Sequence, residues 1–114
     1  MFKKLFFNLI NSLNGLKYVF KEHSFIVELL LGVILIPYIF FLETSILFKL
    51  LVFTVYVLLL TFEIVNTTIE KLCDKITKEI DSDIKKIKDL ASASVFVVLT
   101  ALMVLIIFTF FLSS

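Results

Sequence analysis

Glu63, Asn66, Glu70 and Asp74 stand three, four and four residues apart, so on a helix all four side chains leave one face. Three acids on one stripe repel one another, by about a few tenths of a kcal/mol per pair at helical spacing. Glu63 also closes an apolar run, where desolvation adds to that cost. A divalent cation carrying phosphate oxygens would offset it, because Mg²⁺ prefers a few carboxylates combined with water and substrate oxygens. The plainer alternative is a solvated helix face neutralised by Lys71, Lys75 and Lys78.

Two further groups have the types for chemistry. Glu28 lies three residues into an apolar run that begins at Phe25, with Glu22 just before the run and Lys21 and Ser24 on the same helical face. A carboxylate at that depth is expensive and is a functional candidate by default, unless it snorkels to the headgroups or pairs with a lysine. Lys88, Asp89, Ala91, Ser92, Ala93 and Ser94 form the other group. Its small residues admit a neighbouring helix, Ser92 is one turn from Lys88 and Asp89, and Lys88 has the charge to meet a phosphate. His23, the lone histidine, reads as interfacial packing and the lone Cys73 as a small apolar filler.

The elements that must position these groups are hydrophobic. Of 114 residues 61% are apolar and the mean hydropathy is +1.11, more than a water-soluble core can hide. Runs at 25–42, 45–62 and 90–112 each approach the roughly 20 residues that cross a bilayer core, and helices satisfy an open-ended backbone in lipid. Ahead of them Phe2, Leu5, Phe6, Leu9, Leu13, Leu16 and Phe20 oppose Lys4, Asn8, Asn11 and Gly15, the pattern of a helix lying in the headgroup plane. The expected architecture is therefore an all-α membrane protein of one domain, residues 1–114. It has an N-terminal amphipathic surface helix over about 2–21 and membrane helices over about 24–42, 46–79 and 88–112, the second with a cytoplasmic extension. Pro37 marks the exit of the first span, Glu43 to Ser45 make a tight turn, and Asp81 to Asp83 break the charged stretch. Lysines crowd the N-terminal segment and the 63–89 stretch and leave only Lys49 near the short turn, so the positive-inside rule puts the N-terminus in the cytoplasm and the C-terminus outside.

Composition also excludes. A net charge of +1 argues against a nucleic-acid partner. With two glycines, Gly15 and Gly32, no Gly-rich phosphate loop can form, and with no arginine any phosphate contact falls to lysine. One cysteine rules out an intramolecular disulfide.

The blocks Glu63-Ile64-Val65-Asn66-Thr67-Thr68-Ile69-Glu70-Lys71-Leu72-Cys73-Asp74-Lys75 and Lys88-Asp89-Leu90-Ala91-Ser92-Ala93-Ser94-Val95 resemble, in content and separation, the signature of bacterial diacylglycerol kinases. Gly15-Leu16 and the Glu22, Phe25, Glu28 spacing are similar to that family's first helix. The chain departs from the family at Ile26 and Val27, where Arg and Gln are usual, and at Lys21 and Lys75. The resemblance implies a homotrimer with active sites shared between protomers, at the cytoplasmic surface of the bacterial inner membrane. Its reaction would be transfer of the terminal phosphate of ATP to diacylglycerol, giving phosphatidic acid. It further implies Glu63 as general base meeting the lipid hydroxyl, with Ser92 beside the lipid, and Glu22 and Glu70 as acids holding ATP-bound Mg²⁺ or Zn²⁺. Lys88 would contact phosphate, Asn66 and Asp89 would be polar supports, and Glu28 and Asp74 further acids near the nucleotide. Undecaprenol, another membrane alcohol, is the rival acceptor. From other classes, a small multidrug-type transporter shares the length and an embedded glutamate such as Glu28, but such proteins usually have four spans with little charge between them. A purely structural subunit is the third reading.

Overall fold

A computed structural model of the chain describes residues 1–113 and is all helical. Its elements are α1 (Phe2–Val19), α2 (His23–Phe41), α3 (Ile46–Ile76) and α4 (Ser82–Leu112). The last three are long and apolar enough to cross a membrane, with mean hydropathies of 2.4, 2.1 and 3.0 over their most apolar stretches. At 31 residues each, α3 and α4 are about 46 Å long, which exceeds the roughly 30 Å of a hydrocarbon core by several turns. The surplus on α3 follows Phe62 and carries the acidic stripe; the surplus on α4 precedes Leu90 and carries Lys88 and Asp89.

α3 is the middle of the bundle, packing on α4 over its length and on α2 along another face. Leu35 and Ile39 of α2, Val52, Tyr56 and Leu59 of α3 and Leu102 of α4 form the buried core. Lipid tails are as apolar as these side chains, so close packing rather than expulsion from water holds the helices together. Most of the remaining apolar surface faces outward, toward lipid or other chains: Val33, Phe40, Phe96 and Phe111 are all exposed.

The helix ends follow capping chemistry. Ser45 accepts from the Phe48 amide at 3.3 Å to start α3, and the Lys49 ammonium donates to the Phe40 carbonyl at 3.0 Å, satisfying an orphan acceptor at the end of α2. This bond gives the one lysine near the short turn a local partner. The interruption between α3 and α4 falls at residues 77–81, slightly before the expected break. Asp81, expected to break the charged stretch, is the N-cap of α4, accepting from the amides of Asp83 and Ile84 at 2.9 and 3.1 Å. Asp81→Ala should cost about 1 kcal/mol locally, read as faster amide hydrogen exchange over residues 82–86 with the rest of α4 unchanged.

α1 meets the bundle only near its end. Val19 is its one buried residue, while Phe2, Leu5, Phe6, Leu9 and Leu13 are exposed, leaving an apolar face for the membrane surface. Phe20 packs edge-on against Phe25, ring centroids 5.6 Å apart, where the chain turns into α2.

Candidate functional site

Along α3 the inward positions recur at Val52, Tyr56, Leu59, Glu63, Asn66 and Cys73, alternating steps of four and three apart from the skipped Glu70 position. This one seam is apolar within the bundle and turns polar at Glu63. The seam, not a separate loop, therefore carries the candidate residues to the membrane boundary. Glu63 is 5% exposed and Asn66 7% exposed, whereas Glu70, on the next seam position, reaches solvent.

Three sets of contacts radiate from the seam. Deepest, the Glu63 carboxyl lies within hydrogen-bonding reach of the Glu28 carboxyl on α2. Two facing carboxyls need a proton or a cation between them. The second Glu28 oxygen, Oε2, is buried with no hydrogen-bond partner. One turn on, Asn66 donates from Nδ2 to Glu70 Oε1 at 3.1 Å, while its own Oδ1 is buried and unpartnered. The third set is charged: Lys71 Nζ contacts Glu22 Oε1 at 2.8 Å, and Lys88 Nζ contacts Asp74 Oδ1 at 2.6 Å across the α3–α4 gap.

These outer pairs stand beyond the membrane-spanning stretches, and the pairing shifts the protonation of Lys71, Asp74 and Lys88. The Glu22 carboxylate raises the Lys71 ammonium above its ordinary pKa, with Asp74 and Glu70 adding to it. A hydrogen bond and charge from Lys88 hold the Asp74 carboxyl below its ordinary pKa, and Asp74 in turn raises Lys88. Both partners therefore stay charged through the neutral range. The charge of Glu70 acts on both the Lys71 and the Lys88 ammonium groups.

Not every expected residue joins it. Asp89 pairs with Lys85 at 2.7 Å, one turn back on its own helix, and Ser92 is exposed on α4, so neither belongs to the Glu28–Glu63 contact. Among the described residues no group of three or more histidines, cysteines or acids is arranged as a metal cage. Glu22 and Glu70 nonetheless fit the sparser donor set of a nucleotide-bound Mg²⁺, one or two carboxylates completed by water and phosphate oxygens. Cys73 is buried on the seam as a packing residue, and His23 starts α2 exposed.

Two participants were missed from the sequence. Lys71, read as one of several counter-charges for the α3 stripe, instead reaches across to Glu22. Tyr56 donates its hydroxyl to the Glu28 carbonyl at 2.8 Å, and no rule about charge or spacing singles out a tyrosine in an apolar span. Between α1 and α3 opens a cleft of about 570 Å³, whose mostly apolar wall includes Leu16, Val19 and Ile64 and is edged by Ser12, Thr67 and Thr68, with Glu22 and Lys71 at its rim. A smaller apolar cleft of about 170 Å³ between α2 and α3, near Lys49, contains no acid.

Residues 10–111 match the family described as prokaryotic diacylglycerol kinase. The chain is 42% identical over 90 residues to a protein of Haemophilus influenzae named diacylglycerol kinase, an alignment covering 77% of this chain and 75% of that one.

Proposed function

The chain belongs to the prokaryotic diacylglycerol kinase family of membrane lipid kinases, and from that premise we propose that it transfers the terminal phosphate of ATP to the free hydroxyl of diacylglycerol, giving phosphatidic acid, on the cytoplasmic side of the inner membrane. The observation that carries this reading is the position of Glu63, a buried carboxyl where the α3 seam changes from apolar to polar, one turn from Asn66 and two from Glu70. A lipid alcohol whose acyl chains stay in the bilayer presents its hydroxyl at that depth.

In the proposed reaction Glu63 accepts the hydroxyl proton as the lipid oxygen forms its bond to the γ-phosphorus; the bond to the β-phosphate oxygen breaks and ADP leaves. Glu28, in contact with Glu63, stabilises the base in place, and Asn66 orients the seam through Glu70. Lys88 leaves Asp74 to meet the phosphate, with Asp89 and Asp74 setting its position. Glu22 and Glu70 would hold Mg²⁺, or Zn²⁺ in its place, which when bound screens the phosphate charge. The apolar cleft with its serine and threonine hydroxyls suits the glyceryl end of the acceptor, and Ser92 of α4 completes its polar surroundings in an assembled trimer. The lysines of α1 and of the 71–88 segment face the anionic cytoplasmic leaflet, with the C-terminus in the periplasm.

The test is direct. Purified protein in lipid vesicles, given ATP labelled on the γ-phosphate and Mg²⁺, should form labelled phosphatidic acid from diacylglycerol. A faster transfer to undecaprenol would reassign the acceptor, and transfer to neither lipid would end the proposal.

A further inference from the structure

Tyr56 of α3 seats its ring directly over Gly32 of α2. Tyr56 is 4% exposed, and its hydroxyl donates to the Glu28 carbonyl at 2.8 Å and lies 3.4 Å from that of Leu29. The ring reaches those carbonyls over Gly32: a Cβ there would overlap the phenol oxygen and the ring. Gly32 has an ordinary helical backbone, so its missing side chain matters for space rather than for conformation.

The geometry repeats one step away. Tyr56 and Glu63 are seven residues apart on the α3 seam, and Gly32 and Glu28 four apart on α2. The helices run antiparallel, so Tyr56 over Gly32 and Glu63 beside Glu28 belong to one interface, with Leu59 between them on the α3 seam. The Glu28 side chain has little else to hold it, since Oε2 is buried without a partner. What locates this carboxyl is the backbone that carries it, and Tyr56 grips that backbone at the carbonyl of Glu28 itself.

We propose that Tyr56, seated over Gly32, is a positioning residue for the transfer reaction: by hydrogen-bonding the Glu28 carbonyl it sets the Glu28 carboxyl against Glu63 and so holds the base in its reactive orientation. This rests on the kinase reading above. Tyr56 is buried and acts only through Glu28.

Tyr56→Phe deletes the hydroxyl and keeps the ring. In vesicles it should lower kcat about tenfold while leaving KM for ATP within about twofold, the split expected when an orientation rather than a binding contact is lost. In a Glu28→Gln background the same substitution should have no further effect, since residues acting through one group are not additive. An unchanged kcat, or the same fold-loss in both backgrounds, overturns the proposal. Gly32→Ala should mimic Tyr56→Phe by displacing the ring, and full activity in that variant would count against it. A readout without catalysis separates this idea from the kinase assignment. In Cys73→Ala protein, Glu28→Cys and Glu63→Cys should form an intrachain disulfide on mild oxidation, and adding Tyr56→Phe should slow it severalfold. Equal rates, or no disulfide in either, overturn the positioning role even if lipid is phosphorylated. Slowed crosslinking in a protein that phosphorylates no lipid would retain the clamp and discard the kinase reading.

Discussion

Glu63→Gln is expected to reduce kcat by about 10²- to 10⁴-fold, the usual contribution of a positioned general base and equivalent to about 3 to 5 kcal/mol of barrier. The amide is nearly isosteric, and it can still hydrogen-bond Glu28, so the buried seam should keep its packing and the protein its thermal stability. What the amide lacks is an oxygen able to take up the hydroxyl proton. In the proposed reaction ATP and its metal meet Glu22, Glu70 and Lys88 on the solvent side of the seam, apart from the Glu28–Glu63 contact, so KM for ATP should stay within about threefold. Steady-state kinetics with saturating diacylglycerol, beside a thermal melt and a nucleotide-binding titration, distinguish these cases. A variant that keeps more than a tenth of the parent rate would place the base elsewhere.

Why Glu63 was legible in the sequence, while Tyr56 was not, comes down to cost. A carboxylate at the end of an apolar run is expensive whatever surrounds it, so the three-four spacing of Glu63, Asn66 and Glu70 signals a purpose before any partner is known. The same logic found Glu28, and the structure adds that these two acids face each other. A tyrosine among leucines and valines costs nothing until its hydroxyl must find a partner, and a glycine in an apolar helix looks like ordinary small-residue packing; the Tyr56–Gly32 contact exists only because α2 and α3 pack in one register. Membrane helices were readable from length and hydropathy. Their ends were less so, although Asp81 before Ser82 and Asp83 is a capping pattern, and treating that run as a break obscured the helix start it marks. Cross-helix charge pairing was the least accessible. Lys71 is adjacent to Glu70 and three residues before Asp74, so sequence proximity favours pairing within α3, yet its ammonium lies on Glu22.

Lys88 makes the case sharpest because the structure shows it engaged. Its ammonium is 2.6 Å from Asp74, and a residue so placed has two explanations: a tether between α3 and α4, or a phosphate ligand held in readiness. The explanations differ in the ratio of two variants. A tether is lost equally by Lys88→Met and Asp74→Asn, and since exposed ion pairs contribute little, both should be mild. A phosphate ligand is lost only by Lys88→Met, which should then lower kcat/KM for ATP by about 10²- to 10³-fold, the cost of removing one charge-stabilising donor from a transfer site. Asp74→Asn would leave the ammonium in place, freer to move, with an effect within about tenfold. Lys88→Arg restores the charge but not the compact ammonium geometry, so it should recover part of the loss, chiefly in KM. Because Asp74 stays ionised well below neutrality beside Lys88, the Lys88–Asp74 pair persists across the assay range, and pH offers no route to mimic its removal. Equal, small losses in Lys88→Met and Asp74→Asn would identify a tether and leave the phosphate without its lysine.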